Sequence, residues 1–132
     1  MKIEICAGTL TLNSARQILL IKPSNRNAWA IPKGHVESNE NYADAAARET
    51  FEETGVRVNI LSELSDFEVE TKFRRKIVKM FLAVAADDAV PIADGFENSD
   101  AKFFDVDSLP KLVQSQSKWF EENLNKICRF FI

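Results

Sequence analysis

The chain has 132 residues, of which 45% are hydrophobic and 28% are charged, and its formal net charge is −3. This composition is ordinary for a globular protein and predicts a single domain over residues 1–132 that buries its own core. The weak negative charge argues against binding of long nucleic acid, although it leaves small phosphate compounds open as partners.

Membrane association is not expected, because no apolar run approaches the length that spans a bilayer. The two cysteines, Cys6 and Cys128, lie near opposite ends and have no neighbouring cysteine or histidine with which to form a metal site. We therefore expect both to be buried small hydrophobic residues in a reducing compartment, and the protein to be cytoplasmic.

The first elements along the chain are predicted to be strands. Residues 3–12 alternate loosely and are rich in β-branched side chains, and residues 17–21 form a short apolar run. A turn between them predicts a β-hairpin. Residues 22–27 are expected to be a loop, and residues 29–32 to be extended because Pro32 disfavours a helical conformation before it.

A helix is predicted from about residue 41 to residue 54. Asn39 or Asn41 can cap its start, a run of alanines favours it, and Gly55 can end it. Three glutamates then share one helix face, because they are spaced at i, i+3 and i+4: Glu49, Glu52 and Glu53.

The excess of negative charge in residues 37–53 predicts a bound cation. Six acids lie between residues 37 and 53 against one base, Arg48: Glu37, Glu40, Asp44, Glu49, Glu52 and Glu53. Mg²⁺ prefers oxygen ligands such as these and completes its shell with water and substrate phosphate. The alternative is an ordinary solvated acidic helix.

The rest of the chain alternates between predicted strands and one more helix. Strands are expected at residues 56–60, 61–72, 76–86 and 101–106, with Phe73, Arg74 and Arg75 joining the second and third and a loop at residues 87–98. Hydrophobic residues from Leu109 to Phe131 recur at spacings of three and four residues, which predicts an amphipathic helix. Strands between two substantial helices predict an α/β (α+β) fold, a mixed sheet in an α/β/α sandwich.

The spacing in the acidic region matches a known signature. The pattern is Gly-x5-Glu-x7-Arg-Glu-U-x-Glu-Glu-x-Gly-U, where U is a bulky aliphatic residue, at Gly34, Glu40, Arg48, Glu49, Glu52, Glu53, Gly55 and Val56. It resembles the signature of the Nudix hydrolases, with Thr50 as the one departure at a position that faces the protein interior. The resemblance implies the same sandwich fold and hydrolysis of a nucleoside diphosphate linked to another moiety. It also implies Mg²⁺ as cofactor, with Mn²⁺ as a substitute.

The resemblance also implies roles for individual residues. Glu49 and Glu53 would bind the metal directly and Glu52 directly or through water, with the Lys33 carbonyl as a further ligand and one carboxylate as general base. Arg48 would orient the glutamates and pair with Glu40, and Gly34 would let the backbone approach the metal closely. Glu97, in the loop before the last strand, would be a base or metal ligand; it could equally be a solvated loop residue, as could Asp94 and Asp100.

Residues 29–37 are similar to the corresponding stretch of the diadenosine tetraphosphate hydrolases, which implies that Lys33 and His35 contact a polyphosphate. Diphosphoinositol polyphosphates, sugar nucleotides and oxidised nucleotides stay open as substrates. Trp29 and Phe73 are candidates for stacking on a base and Arg74 for steering phosphate, against the alternatives of core packing for Trp29 and simple solvation of the turn.

Two questions about the whole protein stay open at this stage. A non-catalytic nucleotide-binding module of the same fold is the rival to an enzyme. The chain is expected to be a monomer or a homodimer, because the hydrophobic end Phe130-Phe131-Ile132 can be either core or a dimer surface.

Overall fold

The computed structural model describes residues 2–130. Over this range it has seven strands and two helices, in the order β1 (Lys2–Leu12), β2 (Gln17–Pro23), β3 (Lys33–His35), α1 (Tyr42–Thr54), β4 (Val58–Glu63), β5 (Phe67–Glu70), β6 (Arg74–Ala85), β7 (Asn98–Asp105) and α2 (Gln114–Phe130).

The strands form one mixed sheet in the order β4-β6-β1-β2-β7, in which β3 also pairs with β1 and β5 also pairs with β6. β1 runs parallel to β6 from Lys2↔Arg74 to Leu12↔Val84. It is antiparallel to β2 and β3, so that the predicted hairpin of β1 and β2 is confirmed. The first strand of the chain thus lies in the middle of the sheet.

The two faces of the sheet are covered by different helices. Alternate residues of β1, such as Cys6 and Leu10, join a hydrophobic core that includes Trp119 and Phe120 of α2. The intervening residues face α1, where Thr9 Oγ1 lies 2.7 Å from Thr50 Oγ1. The predicted α/β/α sandwich is therefore confirmed, since successive strand residues point to opposite faces.

Helix α1 has the ends that its sequence predicts. Asn41 is the N-cap and accepts a hydrogen bond from the Asp44 N–H at 2.8 Å, and Gly55 ends the helix in the left-handed conformation with φ 72°. Thr50 is fully buried and its hydroxyl donates to the Ala46 carbonyl at 2.8 Å. A hydroxyl at this aliphatic position of the signature is thus accommodated, because it has hydrogen-bonding partners on both the helix and β1.

The prediction of one long strand over residues 61–72 is wrong. The chain breaks between β4 and β5, where the Trp119 indole N–H of α2 donates to the Ser65 carbonyl at 2.7 Å. The Ser65 carbonyl is therefore used by a side chain instead of a neighbouring strand. Sequence periodicity cannot show such a break, because the partner lies 54 residues further along the chain.

Other boundaries also differ from the prediction, such as β4 at Val58–Glu63 rather than residues 56–60. β6 begins at Arg74 rather than residue 76, β7 at Asn98 rather than residue 101, and α2 at Gln114 rather than near Leu109. Before α2 the backbone instead bridges to Trp29, whose N–H donates to the Lys111 carbonyl and whose carbonyl accepts from the Val113 N–H, both at 2.8 Å.

Neither helix in residues 2–130 combines the length and the apolar composition needed to cross a bilayer. Cys6 is buried and free, as predicted. The side chains of Cys128 and Phe130, together with residues 131 and 132, fall outside the described part, so the expectations for them stay predictions.

Candidate active site

β3 and α1 form one side of an acidic pocket of about 350 Å³, and the loop before β7 forms the other. Seven predicted site residues line it together: Lys33, Gly34, His35, Glu49, Glu52, Glu53 and Glu97. Asp94 and Phe96 complete the lining. The pocket is therefore built from two stretches that are about 50 residues apart in the chain.

Arg48 lies at the centre of the carboxylates. Its Nε donates to Glu40 Oε2 at 2.8 Å, and its Nη1 donates to Glu49 at 2.9 Å and to Glu52 at 3.2 Å. Its Nη2 also donates to the His35 carbonyl at 2.9 Å, and this hydrogen bond holds the end of β3 against α1. The predicted pairing of Arg48 with Glu40 is present.

The hydrogen bonds from Arg48 change how these groups ionise. They lower the pKa of Glu40 to about 2, with the Glu37 N–H contributing, and the carboxylates in turn raise the pKa of Arg48. Both groups therefore stay charged across the ordinary pH range. The ion pair between Glu40 and Arg48 therefore attaches the segment between β3 and α1 to the helix.

Glu53 has a different environment. It is 6% exposed, and it accepts hydrogen bonds from the Lys33 N–H and from Asn98 Nδ2, each at 2.8 Å. Burial raises the pKa of Glu53 to about 7, even though both hydrogen bonds favour the charged form. A carboxyl with this pKa can gain or lose a proton near neutral pH.

Glu49 packs directly against the backbone of Gly34. A Cβ built at Gly34 would overlap the Glu49 carboxylate, so only glycine permits this close approach. Burial raises the pKa of Glu49, against the opposing effect of Arg48. The close neighbour of Gly34 in this structure is thus the Glu49 carboxylate, and the predicted approach of the backbone to a metal stays a prediction.

The donor set suits a hard divalent cation. Four carboxylates and the backbone carbonyl of Lys33 could supply the oxygen ligands that Mg²⁺ prefers: Glu49, Glu52, Glu53 and Glu97. Within residues 2–130, no three acidic, histidine or cysteine side chains already converge as a metal cluster. Arg48 hydrogen-bonds to Glu49 and Glu52, and Glu53 accepts hydrogen bonds from protein groups. A bound cation would therefore require these carboxylates to move closer together.

Three predicted substrate-binding residues are not brought to this pocket. Trp29 packs edge-on against Phe104, with ring centroids 4.7 Å apart, and joins the main core. Phe73 is 72% exposed at the turn between β5 and β6. Arg74 pairs with Glu4, with Nη1 3.5 Å from Oε1. The alternatives of core packing and solvation describe these positions better.

Two residues near the site were missed by the sequence analysis. Asn98 is buried and holds Glu53, and Glu4 lies 3.0 Å from His35 Nε2 through its Oε2. No local pattern could identify them, because each contacts a site residue more than 30 positions away. Glu4 lies on β1, which pairs with β3, and Asn98 lies at the start of β7 next to Glu53. Both positions become neighbours of the signature only when the chain folds.

The α/β/α sandwich thus places a helix face of glutamates and the basic residues Lys33 and His35 around one pocket. A family model described as NUDIX domain matches residues 2–122. The chain therefore belongs to the Nudix hydrolase family.

Individual relatives are similar over most of the chain. A Bacillus subtilis (strain 168) protein named as a candidate 8-oxo-dGTP diphosphatase is 31% identical over 85% of this chain and 73% of its own length. The asymmetrical bis(5'-nucleosyl)-tetraphosphatase of Rattus norvegicus is 33% identical over 77% of this chain and 73% of its own length. The Ap4A hydrolase of C. elegans, solved as a binary complex, superposes with a TM-score of 0.75 at 22% identity, covering 96% of both chains.

Proposed function

We propose that this protein hydrolyses a phosphoanhydride bond in a small nucleotide, a dinucleoside polyphosphate or a nucleoside triphosphate, and that it requires Mg²⁺. The observation that carries the proposal is the pocket in which Glu49, Glu52 and Glu53 face Lys33 and His35. Carboxylates for a cation and basic groups for a phosphate chain lie there within one pocket.

The proposal assigns a separate role to each group of site residues. Glu49, Glu52, Glu53 and Glu97 and the Lys33 carbonyl would hold Mg²⁺, which supplies charge neutralisation on phosphate and acidifies bound water. Lys33 and His35 would bind phosphate oxygens. One of the pocket carboxylates would take a proton from the attacking water. Arg48 would position the glutamates.

The names of the relatives support the choice of substrates. An enzyme named for a dinucleoside tetraphosphate and one named for an oxidised nucleoside triphosphate are both similar over more than three quarters of this chain. A sugar nucleotide stays the alternative substrate, because an ADP-ribose pyrophosphatase of Methanocaldococcus jannaschii is 31% identical over 77% of this chain. We expect catalysis by a monomer or a homodimer.

A substrate panel with product identification tests the proposal. Diadenosine tetraphosphate, nucleoside triphosphates and their oxidised forms would be incubated with saturating Mg²⁺ or Mn²⁺, beside the variants Glu52→Gln and Glu53→Gln. Each variant should lose at least ~10²-fold in turnover. Glu121→Gln, on an exposed position of α2, is the matched control and should keep full activity.

Thermal melting of each variant separates loss of chemistry from loss of fold. Glu52 is the more informative position, because its side chain is 55% exposed and its replacement leaves the core untouched. Full activity in both variants would refute the proposed glutamate roles. Nucleotide binding without any product would instead support the non-catalytic module.

A further inference from the structure

Strand β7 begins with an irregularity that turns the Asn98 side chain into the protein. β2 and β7 pair regularly as far as Lys22↔Asp100. Pro23 then pairs with Asn98, so that Ser99 has no residue opposite it. An extra residue of this kind is a β-bulge, and it moves the side chain before it to the other face of the sheet. Asn98 is therefore 2% exposed, although it is followed by two exposed residues.

The Asn98 amide bridges two acidic side chains. Its Nδ2 donates to Glu53 Oε2 at 2.8 Å and to Asp94 Oδ2 at 3.2 Å. Because a carboxylate only accepts hydrogen bonds, the NH₂ end of the amide must face both groups. Asn98 thus links helix α1 to the loop before β7, and these two elements form opposite sides of the acidic pocket.

Asp94 continues this link into the backbone of the loop. Its Oδ1 accepts from the Phe96 N–H at 2.9 Å and from the Asn98 N–H at 3.0 Å. From the end of β2, Ser24 donates its N–H to the Glu97 carbonyl at 2.8 Å and its hydroxyl to the Phe96 carbonyl at 2.9 Å. The main chain on both sides of Glu97 is therefore held by side chains and by the neighbouring strand.

The Glu97 side chain has no such contact of its own. Within residues 2–130 its carboxylate makes no hydrogen bond and no ion pair, and the residue is exposed where it lines the acidic pocket. Its position relative to Glu53 is therefore set by its backbone. That backbone is connected to Glu53 through Asp94 and Asn98.

Glu53 can bind a cation without releasing Asn98. Its Oε1 accepts from the Lys33 N–H and its Oε2 accepts from Asn98, each at 2.8 Å. A carboxylate oxygen has two lone pairs, so each oxygen retains one for a metal ion. Carboxylates that bind metals are ordinarily oriented by hydrogen bonds of this kind.

We propose that Asn98 is a positioning residue that holds Glu53 and Glu97 in a set relation, so that the two carboxylates bind a divalent cation as one unit. It acts on Glu53 directly and on Glu97 through Asp94. Asparagine suits this position because one NH₂ group donates two hydrogen bonds, which a hydroxyl group cannot do. The inference rests on the proposed function, in which both glutamates hold Mg²⁺.

Direct binding of Mn²⁺ without nucleotide, measured by electron paramagnetic resonance, tests this role. Asn98→Leu fills a similar volume but removes the donor, so the dissociation constant for Mn²⁺ should rise roughly tenfold or more. Asn123→Leu is the matched control, because Asn123 is a buried asparagine of α2 that donates to the Trp119 carbonyl and lies outside the acidic pocket. It should lower the melting temperature and leave the Mn²⁺ affinity unchanged.

A second variant breaks the bridge from its other end. Asp94→Asn keeps an oxygen for the Phe96 N–H but places its own NH₂ group against that of Asn98. Its dissociation constant for Mn²⁺ should also rise, by roughly tenfold. Asp94 is less buried than Asn98, so this variant carries the test when melting curves show that Asn98→Leu does not fold.

A double-mutant cycle separates coupling from support of Glu53 alone. Glu97→Gln should weaken Mn²⁺ binding in the parent protein. In a background with Asn98→Leu or Asp94→Asn, it should weaken binding by no more than about twofold further, because Glu97 is then no longer held beside Glu53. Equal effects of Glu97→Gln in both backgrounds, or no effect in the parent protein, overturn the coupling.

The outcomes distinguish this inference from the proposed function. Unchanged Mn²⁺ affinity in folded Asn98→Leu or in Asp94→Asn overturns the inference and leaves hydrolysis by the parent protein intact. Weakened and coupled Mn²⁺ binding in a protein that hydrolyses no nucleotide supports the inference and refutes the proposed function. A parent protein that binds no Mn²⁺ overturns both.

Discussion

The signature region, Gly34–Val56, and the turn region, residues 71–76, are both rich in charge, but they balance it differently. In the turn region each arginine has its own acid: Arg75 lies 2.6 Å from Glu68, and Arg74 pairs with Glu4. In the signature region Arg48 alone contacts four carboxylates, Glu37, Glu40, Glu49 and Glu52.

The difference shows which kind of charge indicates a site. Exposed pairs that neutralise each other contribute little to stability and leave no charge for a ligand. A surplus of carboxylates that are partly buried, by contrast, carries a cost that a bound cation can remove. The predictions below test this contrast, beginning with the largest expected effect.

The metal-free protein should lose stability as pH rises. Glu53 has an ordinary pKa of 4.5 when unfolded and about 7 when folded. Its stabilising contribution is therefore complete below pH 4.5 and is lost as pH rises through about 7, a change of about 3 kcal/mol. Urea unfolding in a chelator between pH 4.5 and 8 measures this.

Glu53→Gln provides the comparison for that pH dependence. The variant cannot ionise at this position, so its unfolding free energy should fall less steeply across the same pH window; the remaining slope comes from groups such as Glu49, whose pKa burial also raises. Identical slopes in the two proteins would show that another group causes the dependence. Saturating Mg²⁺ should restore stability to the parent protein at pH 8, because a cation stabilises the charged carboxylate.

Replacing Arg48 should cost more than replacing any arginine of the turn. Arg48→Ala leaves Glu40, Glu49 and Glu52 without their shared partner, and we expect a loss of about 2 kcal/mol in the metal-free protein. Mg²⁺ should recover part of it. Chemical denaturation with and without Mg²⁺ measures both, and a loss below about 0.5 kcal/mol would contradict the central role given to Arg48.

Two glycine variants should separate activity from stability. Gly34→Ala pushes the Glu49 carboxylate aside, and because that carboxylate ends a flexible side chain, we expect roughly tenfold lower kcat with little change in melting temperature. Gly55→Ala should lower the melting temperature with little change in kcat, since a φ of 72° strains any residue other than glycine by about 1 kcal/mol. Equal effects of the two variants on kcat would refute the contact with Glu49.

The smallest effect is expected in the turn region. The double variant Arg74→Ala, Arg75→Ala removes two exposed ion pairs, so the unfolding free energy should change by less than about 1 kcal/mol. With Arg74 paired to Glu4 outside the acidic pocket, kcat/KM should stay within about twofold. A large rise in KM would instead restore Arg74 as a substrate-binding residue.

Local features of the chain were predictable and long-range ones were not. Asn41, the alanines and Gly55 specify α1 through interactions within a few residues, so its ends and its acidic face follow from the sequence. The break at Ser65 depends on Trp119, and the start of α2 depends on bridges to Trp29. Such contacts exist only after the sheet and helices have packed.

The same reasoning applies to the candidate site. Residues of the signature could be assigned because their spacing on one helix is regular. Asn98 and Glu4 could not, because neither belongs to a motif and their contacts with Glu53 and His35 form only in the folded sheet. Trp29 and Phe73 were attractive as aromatic residues, but residue type alone cannot distinguish a core ring from a stacking one.

The central position of β1 also determines when this protein can fold. Its longest pairing joins Lys2 to Arg74 and Leu12 to Val84, so β1 is synthesised well before β6, its main partner, exists. Closing so long a loop is slow, because its entropy is lost before the strand contacts form. During synthesis, β1 therefore has only β2 and β3 as partners, and its other edge stays open and prone to aggregate until β6 emerges.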